Sequence, residues 1–265
     1  MRCAVLGDPI EHSLSPVLHR AGYEALGLAW TYQTRRVKSG DLAWFLSTLD
    51  ESWRGLSLTM PLKREAMAIV ADVSHRARLV GAVNTLVRTT YGWAGDNTDL
   101  PGAVAAVRER YDGPIRSAAI LGAGATAAST GLAAVELGAG AVTLLARDAA
   151  RAEETRAVIA AHPAAPTVAV APLDARPEVD LLVSTIPVAA QTDDLVAAWR
   201  EAPALFDVVY DPWPTPLTSA ATGAVISGLD LLVNQAVPQF ELFTSQPAPL
   251  EAMRAAGEAA LGARG

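Results

Sequence analysis

A short apolar segment, residues 118–121, runs directly into a glycine-rich loop, residues 122–127, with the sequence GAGATA. Gly122 permits the tight turn that leads from a strand into a helix, and Gly124 lets the backbone approach a pyrophosphate closely. Ala127 is small enough for that helix to pack against the strand. The first N–H groups of the helix and its dipole attract phosphate. The segment therefore predicts a dinucleotide-binding strand, turn and helix.

Strand-like and helix-like segments alternate along most of the chain, which is typical of α/β proteins with helices on both faces of a parallel sheet. The first hundred residues include a predicted hairpin whose turn is Tyr91-Gly92. The sequence pattern changes near Leu100. Beyond it, buried strands are expected at residues 118–121, 141–146, 167–171, 181–185 and 205–210.

Composition excludes several classes of protein. The 265 residues are 51% hydrophobic and 18% charged, so the chain is not a disordered one. Lys+Arg is 21 and Asp+Glu is 28, and the resulting formal charge of -7 argues against general binding to nucleic acid or membrane surfaces. Cys3 is the only cysteine and the four histidines have no metal-binding spacing, so we expect no disulfide and no metal site.

The uncharged stretch at residues 117–135 has about the length of a bilayer span, but it consists mostly of small residues and no basic cluster flanks it. We therefore expect no transmembrane helix. The apolar run at the start of the sequence ends at Gly7, before the hydrophobic region of a signal peptide could form. The expectation is a soluble, cytoplasmic protein.

The residue that closes the second strand of a dinucleotide-binding unit selects the cofactor. An acid there holds the ribose of NAD, whereas basic residues accept the 2′-phosphate of NADP. Here Ala146 occupies that position, and Arg147, Asp148 and Arg151 follow it. The two arginines either converge on one phosphate or are solvated surface residues. Asp148 can cap the following helix and so face away from the ribose, and the pattern favours NADP.

Polar residues interrupt the apolar segments of the first hundred residues in four motifs. These are SLSP at residues 13–16, TMPLK at 59–63, GAVNT at 81–85 and DNTD at 96–99. Each has a structural explanation on its own, with Ser15 as a helix cap, Asn84 as a turn former and Lys63 as a solvent-facing helix residue. In this order before a glycine-rich loop, they resemble the shikimate dehydrogenase family. The resemblance continues through DVVYDP at 207–212, TPL at 215–217 and LVNQA at 232–236, and so covers essentially the whole chain.

This resemblance implies a two-domain α/β fold. An N-terminal α/β substrate domain, residues 1–100, would be completed by C-terminal helices in residues 229–265, and residues 101–228 would form a Rossmann-type NADP-binding domain. The implied activity is the reversible NADPH-dependent reduction of 3-dehydroshikimate to shikimate in aromatic amino acid (chorismate) biosynthesis. The implied cofactor is NADP, the implied partner is the small-molecule substrate alone, and the protein would be a monomer or a homodimer.

Matching of motif positions implies that Lys63 and Asp99 form the catalytic pair. A positioned ammonium can stabilise the oxyanion that develops when a ketone is reduced and can donate the proton, so the residue types agree with the chemistry. The implied substrate-binding residues are Ser13, Ser15, Thr59, Lys63, Asn84, Asp99, Tyr210 and Gln235. The implied cofactor-binding residues are Gly122, Ala123, Gly124, Ala125, Thr126, Arg147, Arg151, Thr185, Val208, Gly228 and Leu231.

The sequence departs from the family's usual pattern at four places. Ser57 replaces an asparagine, Ala125 replaces a glycine, residues 146–148 replace Asn-Arg-Thr, and residues 184–186 replace Asn-x-Thr. Two alternatives therefore stay open: an NAD-preferring quinate/shikimate dehydrogenase, and a catalytically silent dinucleotide-binding protein on the same scaffold. The paired serines of the first motif favour shikimate, and the intact lysine–aspartate pair favours an active enzyme.

Overall fold

The computed structural model describes residues 1–264, and the chain divides into two compact units. The first unit comprises Met1–Thr98 and the residues from Gln235 onward, and the second comprises Asp99–Asn234. The assignment of substrate binding to one domain and of cofactor binding to the other concerns function and stays a prediction.

The first unit is built on a six-stranded mixed sheet. Its elements up to residue 98 are β1 (Arg2–Gly7), α1 (Ser15–Ala25), β2 (Thr31–Arg36), α2 (Leu42–Ser47), β3 (Trp53–Leu58), α3 (Leu62–Ile69), β4 (Asp72–Val73), α4 (His75–Val80), β5 (Thr85–Thr89) and β6 (Gly92–Asp96). The strand order is β2-β1-β3-β5-β6-β4. β1 is parallel to β2 and β3, whereas β5 is antiparallel to β3 and β6. The predicted hairpin is confirmed, but its turn is one residue earlier than predicted: Thr89 pairs with Gly92, so the turn is Thr90-Tyr91 and Gly92 begins β6.

The start of α1 differs from the prediction. The sequence pattern predicts Ser15 as the helix cap, but Leu14 occupies the cap position and Ser15 lies within the first turn. The neighbouring Ser13 hydroxyl accepts the N–H of Ser15 at 3.3 Å, so the serine before the helix satisfies this backbone group instead. The prediction for Ser15 as a cap was therefore wrong, and its hydroxyl is not used at the helix end.

The second unit is built on a six-stranded parallel sheet. Its elements are α5 (Asp99–Arg110), β7 (Ser117–Leu121), α6 (Ala125–Glu136), β8 (Ala141–Leu145), α7 (Ala149–Ala160), β9 (Thr167–Ala171), β10 (Leu181–Ser184), α8 (Asp193–Trp199), β11 (Ala204–Asp207), α9 (Pro216–Ala220), β12 (Ala224–Ile226) and the start of α10 (Gly228–Thr244). The strand order is β12-β11-β10-β7-β8-β9, and each neighbouring pair is parallel. From Gln235 onward α10 belongs to the first unit, as does α11 (Leu250–Gly262).

The expected strands of this unit are present, and their bounds differ from the prediction by at most one residue except at the last of them. The strand predicted for residues 205–210 ends at Asp207, because the Asp207 carboxylate accepts the N–H of Val209 at 3.2 Å and turns the chain. The uncharged stretch at residues 117–135 falls within β7 and α6. Among residues 1–264, no helix combines the length and apolar character needed to cross a membrane.

Candidate active site

Three strands of the first unit bring predicted substrate-binding residues to one edge of its sheet. β1 and β3 end side by side with Leu6 opposite Leu58, so the loop with Ser13 and the loop with Thr59 start from neighbouring strands. β5 is antiparallel to β3, so Asn84, which precedes β5, lies at the same edge. The Thr59 N–H donates to the Leu6 carbonyl at 2.9 Å, and the Leu58 N–H donates to the Asn84 carbonyl at 2.7 Å.

Lys63 is connected to this edge through its backbone. It lies in the first turn of α3, and its carbonyl accepts the N–H of Val83 at 2.8 Å, one residue before Asn84. Lys63 is half-buried, and Ser15 and Gln235 are buried. These residues belong to the first unit, whereas Asp99, at the start of α5, and Tyr210, after β11, belong to the second.

The side-chain amide of Asn84 is 1% exposed and has a single orientation. Its Oδ1 atom accepts the Thr98 N–H at 2.8 Å and the Thr85 hydroxyl at 2.8 Å, while its Nδ2 atom donates to Thr98 Oγ1 at 3.0 Å. A backbone N–H can only donate, so Oδ1 must be the atom that faces Thr98. The Nδ2 group is therefore held as a donor.

Asp96 anchors the segment that leads to Asp99. The Arg76 guanidinium donates to both carboxylate oxygens at 2.7 and 2.6 Å, and the Ser74 hydroxyl and the Asn97 N–H donate at 2.5 and 2.7 Å. Partial burial alone would raise the pKa of Asp96, but these hydrogen bonds and the arginine charge hold the pKa below its ordinary value of 3.8.

We expect Asp96→Asn to lower the free energy of unfolding by about 1.5–3 kcal/mol near neutral pH, because a hydrogen-bonded carboxylate is lost. The pKa of Asp96 is lower in the folded chain than in the unfolded one. Its contribution to the free energy of unfolding is therefore present above pH 3.8 and is lost as the pH falls through the pKa of the folded state. Urea unfolding at about pH 7, 5 and 3 measures this dependence. Asp72→Asn, at an exposed position on β4, is the control. An Asp96 effect that stays constant down to the lowest pH would contradict the prediction.

In the second unit, the glycine-rich loop borders a cavity of about 560 Å³. Five predicted cofactor-binding residues line it: Gly122, Ala123, Gly124, Arg147 and Arg151. Ala125 and Thr126 form the first turn of α6. The others are not among the lining residues. Of these, Thr185 donates its hydroxyl to the Leu121 carbonyl at 2.8 Å, the Val208 N–H donates to Ser184, and the start of α10 at Gly228 lies against the Val208 backbone. Leu231 is buried in the first turns of α10.

The loop fits a pyrophosphate. Gly122 has φ +112°, a conformation that favours glycine, and it turns the chain from β7 toward α6. Gly124 is the cap residue of α6, and a Cβ atom added there would meet no described atom within 4 Å. No side chain caps α6 within residues 1–264, so its first N–H groups remain available to an anion.

The residues after β8 carry the features that select between NAD and NADP. The predicted cap is confirmed, since Asp148 Oδ1 accepts the N–H groups of Ala150 and Arg151 at 3.0 and 3.2 Å. The other carboxylate oxygen of Asp148 lies 3.4 Å from Arg151 Nε. Asp148 therefore both caps α7 and forms an ion pair with Arg151. Arg147 is exposed at the cavity and carries the second positive charge.

Asp207 is an important residue to which the sequence motifs assigned no role. It is fully buried and accepts hydrogen bonds from Gln191 Nε2 at 2.8 Å, the Thr215 hydroxyl at 2.7 Å and the Val209 N–H. Burial raises the pKa of this carboxyl group, and the hydrogen bonds counteract that effect in part. Asp207 thereby fastens both ends of the loop that carries Val208 and Tyr210. The signal in the sequence was an acidic residue at the end of an apolar strand.

The second unit is a parallel sheet whose glycine-rich turn borders a cavity, which is typical of dinucleotide-dependent oxidoreductases. The fold and the site therefore belong to that class. Within the part of the chain that the structure describes, no group of three or more His, Cys, Asp or Glu residues could hold a metal ion.

Comparisons with known proteins identify the family. A model of the shikimate dehydrogenase substrate binding domain matches residues 5–86, and a model of the shikimate 5'-dehydrogenase C-terminal domain matches residues 228–256. The shikimate dehydrogenase (NADP(+)) of Trichormus variabilis is 32% identical over 97% of this chain and 96% of its own length. The chain belongs to the shikimate dehydrogenase family.

Two solved structures support the same conclusion. The Mycobacterium tuberculosis shikimate dehydrogenase is 39% identical with a TM-score of 0.89, covering 97% of this chain and 99% of that one. The Thermus thermophilus shikimate 5-dehydrogenase in complex with NADP(H) and shikimate is 31% identical with a TM-score of 0.86, covering 98% of this chain and 100% of that one. The predicted fold class, a two-domain α/β protein with one Rossmann-type domain, is confirmed.

Proposed function

We propose that this protein catalyses the reversible, NADPH-dependent reduction of 3-dehydroshikimate to shikimate, a step of aromatic amino acid biosynthesis. The observation that carries the proposal is the edge of the first sheet, where the loops with Ser13 and Thr59 meet Asn84 and the backbone of Lys63. The names of the relatives, shikimate dehydrogenase (NADP(+)), support the same substrate and cofactor.

Neutral side chains that form hydrogen bonds recognise the substrate. The hydroxyls of Ser13 and Ser15 bind the carboxylate of the substrate, since hydroxyl donors match carboxylate oxygens. Thr59, Asn84 and Gln235 donate to or accept from the carboxylate side and the ring hydroxyls. Tyr210 is the remaining proposed substrate-binding residue.

Lys63 and Asp99 perform the proton transfer. Bound NADPH supplies the hydride that reaches the ketone carbon. The Lys63 ammonium stabilises the negative charge that develops on the ketone oxygen and then gives that oxygen its proton. The Asp99 carboxylate accepts a hydrogen bond from a substrate hydroxyl and so orients the substrate. In the reverse direction, neutral Lys63 takes the proton from the shikimate hydroxyl.

Cofactor binding divides among three groups of residues. The backbone of residues 122–126 and the N-terminus of α6 hold the pyrophosphate. Arg147 and Arg151 hold the 2′-phosphate. Thr185, Val208, Gly228 and Leu231 line the nicotinamide side.

A spectrophotometric assay that crosses shikimate and quinate with NADP and NAD tests this function. We expect turnover with shikimate and NADP to exceed every other combination. Comparable turnover with quinate and NAD would favour the quinate/shikimate alternative. Absence of turnover in all four combinations, with NADP still bound, would favour a catalytically silent dinucleotide-binding protein.

Cofactor preference should depend on Arg147. We expect Arg147→Ala to raise the KM for NADP on the order of tenfold, because a charge-assisted hydrogen bond to the 2′-phosphate is lost, with little change in the KM for NAD. Asp148→Asn keeps an oxygen that can cap α7 and removes a negative charge, so its KM for NADP should stay equal or fall.

Arg156→Ala is the matched control, since Arg156 lies on α7 and pairs with Glu153 rather than bordering the cavity. Wild-type protein that uses NAD as efficiently as NADP would overturn the assignment of the arginines to the 2′-phosphate.

We further propose that the enzyme acts in the cytoplasm as a monomer or homodimer with small molecules as its partners. The buried free thiol of Cys3 is compatible with a reducing compartment. Light scattering during size-exclusion chromatography distinguishes the two assembly states.

A further inference from the structure

A chain of buried hydrogen bonds in the first unit ends at Asn84. The Tyr32 hydroxyl donates to Ser57 Oγ at 2.5 Å, and the Ser57 hydroxyl donates to Gln239 Oε1 at 2.7 Å. Gln239 Nε2 donates to Thr85 Oγ1 at 2.9 Å, and the Thr85 hydroxyl donates to Asn84 Oδ1 at 2.8 Å. We call these bonds the Asn84 relay.

The direction of each bond in the Asn84 relay is determined by one backbone carbonyl. Gln239 Nε2 also donates to the Asn84 carbonyl at 3.2 Å, and a carbonyl can only accept, so the amide nitrogen must face it. The amide oxygen then faces Ser57, whose single hydroxyl hydrogen is donated to it. Ser57 can therefore only accept from Tyr32. Gln239 thus determines how the hydrogens on both sides of it are placed.

The side chains of the relay are buried. Tyr32 is fully buried, and the His19 ring stacks on it with centroids 4.3 Å apart. Burial lowers the pKa of His19 to about 3, so this ring is neutral under ordinary conditions. Gln239 is 1% exposed and Thr85 is fully buried, so water cannot replace a lost partner. Hydrogen bonds in such surroundings orient their groups strongly.

The register of the sheet explains why a glutamine is needed. Ser57 on β3 lies directly opposite Thr85 on β5, but the serine hydroxyl donates to Gln239 rather than to the threonine. Gln239 projects from α10 and bridges the two strands. It lies one helical turn after Gln235, on the same helix face, and both glutamines are buried.

We infer that Gln239 is a positioning residue for substrate binding. It holds the Thr85 hydroxyl so that this group donates to Asn84 Oδ1. The Thr98 N–H sets which way the Asn84 amide faces, and the bond from Thr85 adds a second restraint that keeps the Nδ2 group in place as a donor toward the substrate. Gln239 does not itself contact the substrate. The inference rests on the proposed function, since it concerns the affinity for shikimate.

The test compares the KM for shikimate with the KM for NADP in Gln239→Met, which keeps the length of the side chain without its hydrogen bonds. We expect the KM for shikimate to rise on the order of tenfold, as expected when one hydrogen bond that positions a binding group is lost. The KM for NADP should keep its wild-type value. Thr85→Val interrupts the same relay with an almost isosteric side chain and should also raise the KM for shikimate without changing the KM for NADP. This second variant tests the inference if Gln239→Met does not fold.

Thr244→Val is the matched control. Thr244 lies on the same helix, and its hydroxyl donates to the Phe240 carbonyl at 2.8 Å without any bond to the relay. The control should lower the melting temperature without raising the KM for shikimate relative to the KM for NADP.

Rescue distinguishes positioning from a general loss of stability. Opposite residues of an antiparallel pair have Cβ atoms about 5 Å apart, so an asparagine at position 57 can reach the Thr85 hydroxyl. The double variant Ser57→Asn/Gln239→Met should therefore recover part of the affinity for shikimate. An unchanged KM for shikimate in both Gln239→Met and Thr85→Val, or an equal rise of both KM values, would overturn the inference. A wild-type protein without shikimate turnover would instead contradict the proposed function.

Discussion

Lys63→Ala should lower turnover of shikimate on the order of 10²–10⁴-fold, as removal of a general acid does. The fold should persist, because Lys63 is half-buried in the first turn of α3 and its carbonyl, which accepts the Val83 N–H, is kept in alanine. The KM for shikimate should change much less than kcat, since most of the proposed contacts with the substrate come from hydroxyl and amide groups. Steady-state kinetics with a melting curve for each variant measures both effects.

Lys63→Arg separates charge from proton transfer. A guanidinium keeps the positive charge but does not give up its proton, so binding should be retained while turnover stays low. Arg64→Ala, at the exposed neighbouring position of the same helix, is the control for loss of a cation. Near wild-type turnover in Lys63→Ala would show that another group donates the proton.

The second unit was predictable because its signals are local. The glycine-rich turn follows β7 directly, and the strands are short apolar runs separated by helical segments. β12 was missed because its three residues, Ala224–Ile226, are too few to form a pattern. A proline inside a helical pattern usually indicates that the helix ends, but α10 continues through Pro238 to Thr244. Tertiary packing outweighs the local preference of a proline there.

The predicted residues of the first unit come together because strands that are distant in sequence end at one sheet edge. Motif resemblance indicated Asn84 without showing what orients it. Gln239 could not be predicted, since it lies 182 residues from Ser57 and 155 from Asn84. Asp207 could have been suspected as an acid at a strand end, but its partners Gln191 and Thr215 become visible only in the folded unit.

Gly124→Val should raise the KM for NADP on the order of a hundredfold, since displacing a bound group by about 1 Å can cost this much. The backbone at Gly124 has φ -91° and ψ -172°, an extended conformation that valine adopts readily. A Cβ atom there meets no described atom within 4 Å, so the fold itself has room for the side chain. The space that valine fills is the space we assign to the pyrophosphate.

Binding can be measured without turnover, because a ligand that binds only the folded protein raises its melting temperature. Gly124→Val should lose most of the stabilisation by NADP while its melting temperature alone stays close to that of the wild type. Gly140→Val is the matched control, since a Cβ atom at Gly140 also meets nothing within 4 Å and this glycine precedes β8, at the opposite edge of the parallel sheet. If Gly124→Val binds NADP as the wild type does, the pyrophosphate does not lie on this loop, and the dipole of α6 has no part in holding it.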